Sequence, residues 1–247
     1  MYNRNVVFLD PAHGGTDNGA RLSGKLQEKD VTLAFEQRLR SLLQAKGLTV
    51  VSARDGDASM TSDQRADIAN HSRPIACLLI HATSSGSGAY LATSSLQADP
   101  EPHSVLQWET AQATYVSQSL SLLEGLTSAL ASASFKPVTL QSSVPPIDSL
   151  TCPAVLIEFG PKSGTPVNDE GYQQQLADAI TGALVAWRTT FDPPKPVVDP
   201  SADPSAPKAA PRPKIKPPVA APAPPTPPGA PLRSVPSIAP IKPGGAR

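Results

Sequence analysis

Val6-Val7-Phe8-Leu9 passes without a break into Asp10-Pro11-Ala12-His13-Gly14-Gly15, an apolar run that ends in a carboxylate, a proline, a histidine and two glycines. Four successive apolar side chains do not alternate with polar ones, so the run reads as a strand buried on both faces. The pattern returns at Leu48 to Val51, Ile75 to Ile80 and Ala154 to Ile157, with shorter candidates at Gly88 to Ala92 and Pro137 to Leu140. Between these runs the spacing turns helical. Phe35, Leu39, Leu42 and Leu43 recur at intervals that share one helix face, with Asp30 placed to cap the start and Gly47 to end it. Further helices are predicted over Ser62 to Asn70, within Val105 to Ala131, and from about Glu170 to Trp187, where Tyr172, Leu176, Ile180, Leu184 and Trp187 share a side. Such alternation predicts an α/β fold: one three-layer domain whose mainly parallel central sheet is flanked by helices.

The pattern stops after Phe191. Of 29 prolines, 19 lie from Pro193 to Pro243, and stretches such as Pro222-Ala223-Pro224-Pro225-Thr226-Pro227-Pro228 hold too few apolar side chains to bury. Residues 1–191 are therefore expected to be the working domain, and residues 192–247 a disordered Pro/Ala-rich tail of extended character. An inert spacer is the preferred reading of that tail, with docking of an envelope partner as the alternative. Charge divides at the same place: eight Lys/Arg stand against three Asp from Asp192 onward, leaving thirteen against eighteen before it. An acidic domain without a basic patch excludes nucleic acid as a partner. No run of about 18 apolar residues is present, so no membrane span is expected. The two cysteines, Cys77 and Cys152, each sit near the start of an apolar run. Buried free thiols and a disulfide between neighbouring strands are both open readings.

Four polar residues stand at or just beyond the carboxyl ends of the buried runs. His13 follows the first, His81 ends Leu78-Leu79-Ile80, Glu158 ends Ala154-Val155-Leu156-Ile157, and Glu28 enters the first long helix. In a parallel sheet those ends lie along one edge, so residues distant in sequence converge there. Two imidazoles and one carboxylate form a catalytic zinc set with a fourth position left for water, and a further carboxylate supplies the proton transfers that metal-assisted hydrolysis needs. A carboxylate directly after a buried strand needs a partner, which sets Glu158 apart from surface acids. His71 and His103 lack such a context and read as ordinary histidines.

The stretches Phe8 to Ala20, Gln27-Glu28-Lys29-Asp30, Arg54-Asp55-Gly56-Asp57, Arg65-Ala66-Asp67-Ile68-Ala69-Asn70, Leu79-Ile80-His81-Ala82 and Pro153 to Gly160 together span about residues 6 to 188. In these the chain resembles the zinc-dependent N-acetylmuramoyl-L-alanine amidase family. The resemblance implies one zinc ion per chain, held by His13, Glu28 and His81, with Glu158 as the catalytic carboxylate. It implies hydrolysis of the amide between the lactyl group of N-acetylmuramic acid and L-alanine, with peptidoglycan or muropeptides as the partner. It also implies an extracytoplasmic, periplasmic setting. Met1-Tyr2-Asn3-Arg4-Asn5 contains no signal-peptide core; a trimmed or mis-started sequence is the preferred reading, with unconventional export or a cytoplasmic wall-recycling setting as the alternatives. Departures from the family pattern fall at Ala12, Thr83, Pro161 and Gly164. They leave as the alternative a non-catalytic peptidoglycan-binding protein that retains the fold.

Three secondary expectations follow. Arg54 and Arg65 either meet stem-peptide carboxylates or pair structurally with Asp55, Asp57 or Asp67. Ser84-Ser85-Gly86-Ser87-Gly88 reads as a loop bordering the substrate groove. In the interval between His81 and Glu158, Glu101, His103 and Glu109 are groups able to cover an open metal position, although an ordinary surface loop is the preferred reading there.

Overall fold

The computed structural model describes residues 2–99, 106–162 and 164–192. The expectations for the tail, and those for Glu101 and His103, lie outside the described residues. The apolar runs are strands: β1 (Asn3–Pro11), β4 (Thr49–Ser52), β5 (Pro74–Ala82), β6 (Ala89–Thr93), β7 (Val138–Gln141) and β8 (Ala154–Phe159), forming a sheet of order β4-β1-β5-β8-β6-β7. A small separate hairpin, β2 (Arg21–Ser23) with β3 (Leu26–Gln27), precedes the first helix. The helices are α1 (Glu28–Ala45), α2 (Ser62–Ser72), α3 (Val116–Ser132) and α4 (Glu170–Thr189). None of them is long and apolar enough to cross a membrane.

Along the sheet every pairing is parallel except β6 with β8. The exception follows from chain length. Only six residues, Thr83 to Gly88, join β5 to β6, too few for the crossover that a parallel return requires. The central strands β1, β5 and β8 are buried on both sides. The edge strands β4 and β7 are partly or fully exposed, unlike the doubly buried run expected at Leu48 to Val51. Val7, Leu9, Ile80, Val155 and Ile157 face α1, α3 and α4 through Phe35, Leu126 and Leu176. Phe8, Cys77, Leu79 and Leu156 face α2 and a 3-10 turn over Ile147–Ser149, through Ala66, Ala69 and Ile147. Successive side chains of one strand thus enter different cores, which is why the runs are continuous rather than alternating. Each fully buried Leu, Ile or Phe contributes about 1.5–3 kcal/mol through removal from water.

Two local expectations change. Asp30 does not cap α1. The N-cap is Gln27, which makes no side-chain capping bond, and Asp30 lies inside the first turn. The amides there are taken by the preceding loop, with Glu28 N donating to Ala20 O and Lys29 N to Asn18 O. Helix α1 is therefore locked to the hairpin and to the turn after β1, instead of being capped from its own sequence. The long helix expected within Val105 to Ala131 is divided, with a 3-10 stretch over Trp108–Tyr115 leading into α3. Gly47, in contrast, follows α1 at φ 76° and ends it as expected.

Cys77 and Cys152 are joined by a disulfide with their Cα atoms 6.2 Å apart, and both are fully buried. The bridge ties β5 to the entry of β8 across a sequence separation of 75 residues. Replacing both cysteines by alanine is expected to lower unfolding free energy by about 2–4 kcal/mol, the typical contribution of a native disulfide. Urea unfolding followed by circular dichroism measures it, and a double variant as stable as the parent would show that this cross-link contributes nothing.

Candidate metal centre

The turn after β1 leaves the sheet at Pro11, and from there its carbonyls have no strand to pair with. Two buried guanidiniums take them. Arg65 hydrogen-bonds Pro11 O at 3.1 Å and His13 O at 2.7 Å, and pairs with the buried Asp10 carboxylate. Arg54 donates to Pro11 O at 2.9 Å, Ala12 O at 3.0 Å and Lys29 O at 2.8 Å. Neither residue pairs with Asp55, Asp57 or Asp67, which instead meet Arg40, Lys29 and His71. The expected pairing of both arginines with those acids is corrected: their five-donor forks serve backbone oxygens of the turn instead, two of which, Ala12 O and Lys29 O, also accept from Thr32 Oγ1.

Held this way, the turn puts His13 at φ 64°, a conformation that a residue with a Cβ rarely adopts without surrounding constraint. The imidazole points across the strand ends. Its Nε2 lies 3.0 Å from Glu28 Oε2, and Glu28 Oε1 lies 3.0 Å from His81 Nδ1. The two rings stand at right angles with centroids 5.4 Å apart. Donor atoms of His13, Glu28 and His81 all fall within 4.8 Å of one another. Three elements meet here: the β1 turn, the first residue of α1 and the end of β5. Glu28 is 5 % exposed and is aimed by two backbone amides, Ala20 N at 2.9 Å and Ala82 N at 3.2 Å. Space is tight enough to demand glycine at position 19, since a Cβ there would sit 2.5 Å from His13 Cδ2 and 2.7 Å from Glu28 Oε2.

Glu158 comes to the same edge. Parallel pairing of β5 with β8 sets it opposite His81. Antiparallel pairing of β8 with β6 sets Tyr90 on its other side. Glu28, His81, Thr83, Tyr90 and Glu158 line one hollow of about 260 Å³. All four residues expected from the sequence thus gather at one place. Glu109 lies in the 3-10 stretch and lines neither hollow beside the triad.

Asp17 is a residue that the sequence reading missed. Its Oδ2 lies 2.8 Å from His13 Nδ1, while its Oδ1 accepts from Gly19 N at 3.0 Å. A carboxylate on one ring nitrogen fixes the tautomer and leaves the other nitrogen to face the cluster, the usual outer support of a metal-bound histidine. The only available signal was an acid four positions after a histidine in a glycine-rich turn. Asp10 was missed as well, although an acid directly after a buried run is the same signal that singled out Glu158.

Burial pushes the Glu28 carboxyl up, but the hydrogen bonds to His13 and His81 outweigh it and hold the group far below the ordinary carboxylate range. The Glu28 hydrogen bond is also the main reason that His13 titrates above its ordinary value, against the pull of burial and with help from Asp17. Two nitrogens and one oxygen converging on a point, with an outer carboxylate on one ring, fit a zinc ion by donor type and number.

Comparison with known proteins agrees with this architecture. The profile of the N-acetylmuramoyl-L-alanine amidase family matches residues 7–186. The germination-specific N-acetylmuramoyl-L-alanine amidase of Bacillus subtilis (strain 168) is 27 % identical over 216 residues, covering 77 % of this chain and 83 % of that protein. Among solved structures, the amidase AmiC2 of Nostoc punctiforme shares the fold at a TM-score of 0.60 and 22 % identity, over 76 % of this chain and 98 % of its own. The amidase of Clostridium difficile 630 does so at a TM-score of 0.60 and 24 % identity, over 77 % and 100 %.

Two outcomes follow from these contacts. Arg65→Met strips donors from Pro11 and His13 and strands the buried Asp10, so stability should fall by about 3–5 kcal/mol; thermal or urea unfolding that matched the parent would sink the supporting role given to Arg65. For metal-free protein, the lowered Glu28 contributes stability above its ordinary value of 4.5 that is lost as pH falls through its folded value. The raised His13 contributes stability below its ordinary value of 6.5 that is lost as pH rises through its folded value. The melting-temperature gap between chelator-treated parent and Glu28→Gln should therefore be widest between pH 4.5 and 6.5, and a gap independent of pH would contradict this linkage.

Proposed function

This chain belongs to the N-acetylmuramoyl-L-alanine amidase family, and from that membership we propose that it is a zinc-dependent hydrolase of peptidoglycan. In this reading it cleaves the amide between the lactyl group of N-acetylmuramic acid and L-alanine. His13, Glu28 and His81 hold the ion, and Glu158 is the catalytic carboxylate. The observation that carries the reading is the convergence of a His-Glu-His donor set with a carboxylate on the adjoining strand, all within a chain whose residues 7–186 match the family.

When bound there, zinc supplies Lewis-acid chemistry, bringing the pKa of a water down to about 7 and polarising the amide carbonyl. The protein's own residues do the rest. Asp17 holds the His13 ring so that Nε2 faces the cluster. Ala20 N and Ala82 N fix both oxygens of Glu28. Glu158 takes a proton from the attacking water as its oxygen bonds to the amide carbon. It then hands that proton to the amide nitrogen as the carbon–nitrogen bond breaks, which lets the amine leave neutral.

Non-catalytic wall binding was the alternative, and the departures at Pro161 and Gly164 were its main support. Those two residues line a different hollow, beside Leu22 and Leu26 of the hairpin, whereas Thr83 lines the hollow with Glu158. The intact His13-Glu28-His81 set and Glu158 favour the catalytic reading. Peptidoglycan as substrate puts the working protein in an extracytoplasmic, periplasmic setting, and an oxidising compartment of that kind suits the Cys77–Cys152 bridge. Residues 1–191 are the catalytic unit in this reading, with the Pro-rich remainder a spacer or a docking arm for an envelope partner.

Glu158→Gln should keep its zinc and lose hydrolysis of purified sacculi by about 10²–10⁴-fold, the size of a general acid–base contribution. Metal analysis and release of stem peptides with alanine at the amino end measure the two halves. A variant that digests sacculi at the parental rate would remove Glu158 from the mechanism.

A further inference from the structure

Two hollows flank the His-Glu-His cluster, one on each side along the sheet order β4-β1-β5-β8-β6-β7. The first, about 260 Å³, runs from Glu28, His81 and Glu158 past Tyr90 to Leu140 and Val144, over β8, β6 and β7. The second, about 240 Å³, runs from His13 and Asp17 to Thr16, Ser59, Met60 and Gln64, beyond the ends of β1 and β4 and at the start of α2. Their chemistry differs. Leu140, Val144, Leu156 and Ala92 give the first an alkyl wall, and among the described residues no Lys or Arg lines it. The second offers hydroxyls from Thr16, Ser59 and Thr61 and the Gln64 amide, beside the thioether of Met60. Asp17 and Arg65 line it too, the one on the His13 ring and the other bonded to Asp10 and to the Pro11 and His13 carbonyls.

From this asymmetry, and resting on the reading of Glu158 above, we infer that the substrate lies in one direction only, with the stem peptide in the hollow over β8, β6 and β7 and the muramoyl sugar in the hollow beside Thr16 and Gln64. Hydrolysis breaks one carbon–nitrogen bond. The carbonyl carbon gains the water's hydroxyl and stays with the lactyl-sugar half. The nitrogen gains the water's proton and leaves with alanine. Glu158 carries that proton, so the half that bears the nitrogen lies on the Glu158 side of the cluster, which is the first hollow. Its alkyl wall suits the alanine methyl and the backbone beside it. Carboxylates further along the stem find no cation in this hollow and stay in water; Arg65 lines the other hollow, where its donors are already given to Asp10 and to the Pro11 and His13 carbonyls. The acyl half must then leave the cluster on the His13 side. There, hydroxyl and amide groups match sugar hydroxyls and an N-acetyl group, and Met60 offers an apolar surface for the sugar face.

The two product halves, N-acetylmuramic acid and a stem peptide beginning with L-alanine, are the probes. Their binding to zinc-loaded protein is measured by calorimetry or as product inhibition, after circular dichroism shows each variant folded. Leu140 is 43 % exposed, so substitution there leaves the core intact. Leu140→Glu should weaken peptide binding by about tenfold or more, by setting like charge against the stem carboxylates, and leave the sugar acid within about twofold. Leu140→Lys should tighten the peptide instead. Thr16→Tyr, which fills the second hollow, should weaken the sugar acid and spare the peptide. The reverse pattern would overturn the direction, and equal effects of each variant on both probes would overturn the division into two hollows. Binding needs no turnover. A protein that binds both halves as assigned yet never digests sacculi would refute the proposed activity alone, and an active protein with the reversed pattern would refute the direction alone.

Discussion

Everything at the working edge of this protein depends on what happens to four backbone carbonyls that leave the sheet after β1 or sit beside it at the start of α1. Pro11, Ala12, His13 and Lys29 present oxygens in a dry region, and Arg54 and Arg65 take all four. Thr32 Oγ1 shares Ala12 O and Lys29 O with Arg54, but an unpaired buried carbonyl costs about 1–3 kcal/mol, so these guanidiniums support the turn directly. Because the turn is gripped, His13 can hold a left-handed backbone conformation. Because it is gripped to α1 as well, Glu28 at the first position of that helix arrives at a fixed height above the strand ends.

The remaining two positions are set by a different mechanism. His81 and Glu158 stand opposite each other because β5 and β8 run parallel in one register, and a slip of β8 by one residue would turn Glu158 to the opposite face from His81. The Cys77–Cys152 bridge lies near the other end of the same strand pair, so that register is pinned by a covalent bond as well as by the ladder. The site therefore has a loop half, held by cations, and a sheet half, held by register. The His13-Glu28-His81 cluster spans both.

Burial also explains the charge pattern around the cluster. Glu28 is almost enclosed, yet it stays ionised because two imidazoles and two amides point at it. Asp10, beneath the same turn, has burial pushing its carboxyl up and Arg65 opposing that push. The acids nearest the metal position thus play separate parts. Glu28 joins the two imidazoles, Asp17 orients a ring, Asp10 anchors the loop, and Glu158 faces the open hollow.

Strand identity, helix periods and the residues of the donor set were legible in the chain. Doubly buried strands must be apolar throughout, and a carboxylate or imidazole at the end of such a run needs a reason to be there. Local chemistry of that kind is written one residue at a time. The partners of Arg54 and Arg65, the role of Asp17, the capping of α1 by backbone and the pairing of the cysteines were not legible. Each of these joins groups brought together by folding or by a tight turn, and a guanidinium meets a carbonyl, or a thiol another thiol, only where the tertiary structure delivers both. Sequence alone determined which side chains could do the chemistry; the packed sheet and its gripped turn decided how far apart they stand and which way they point, because distance and direction belong to the fold and not to any stretch of the chain.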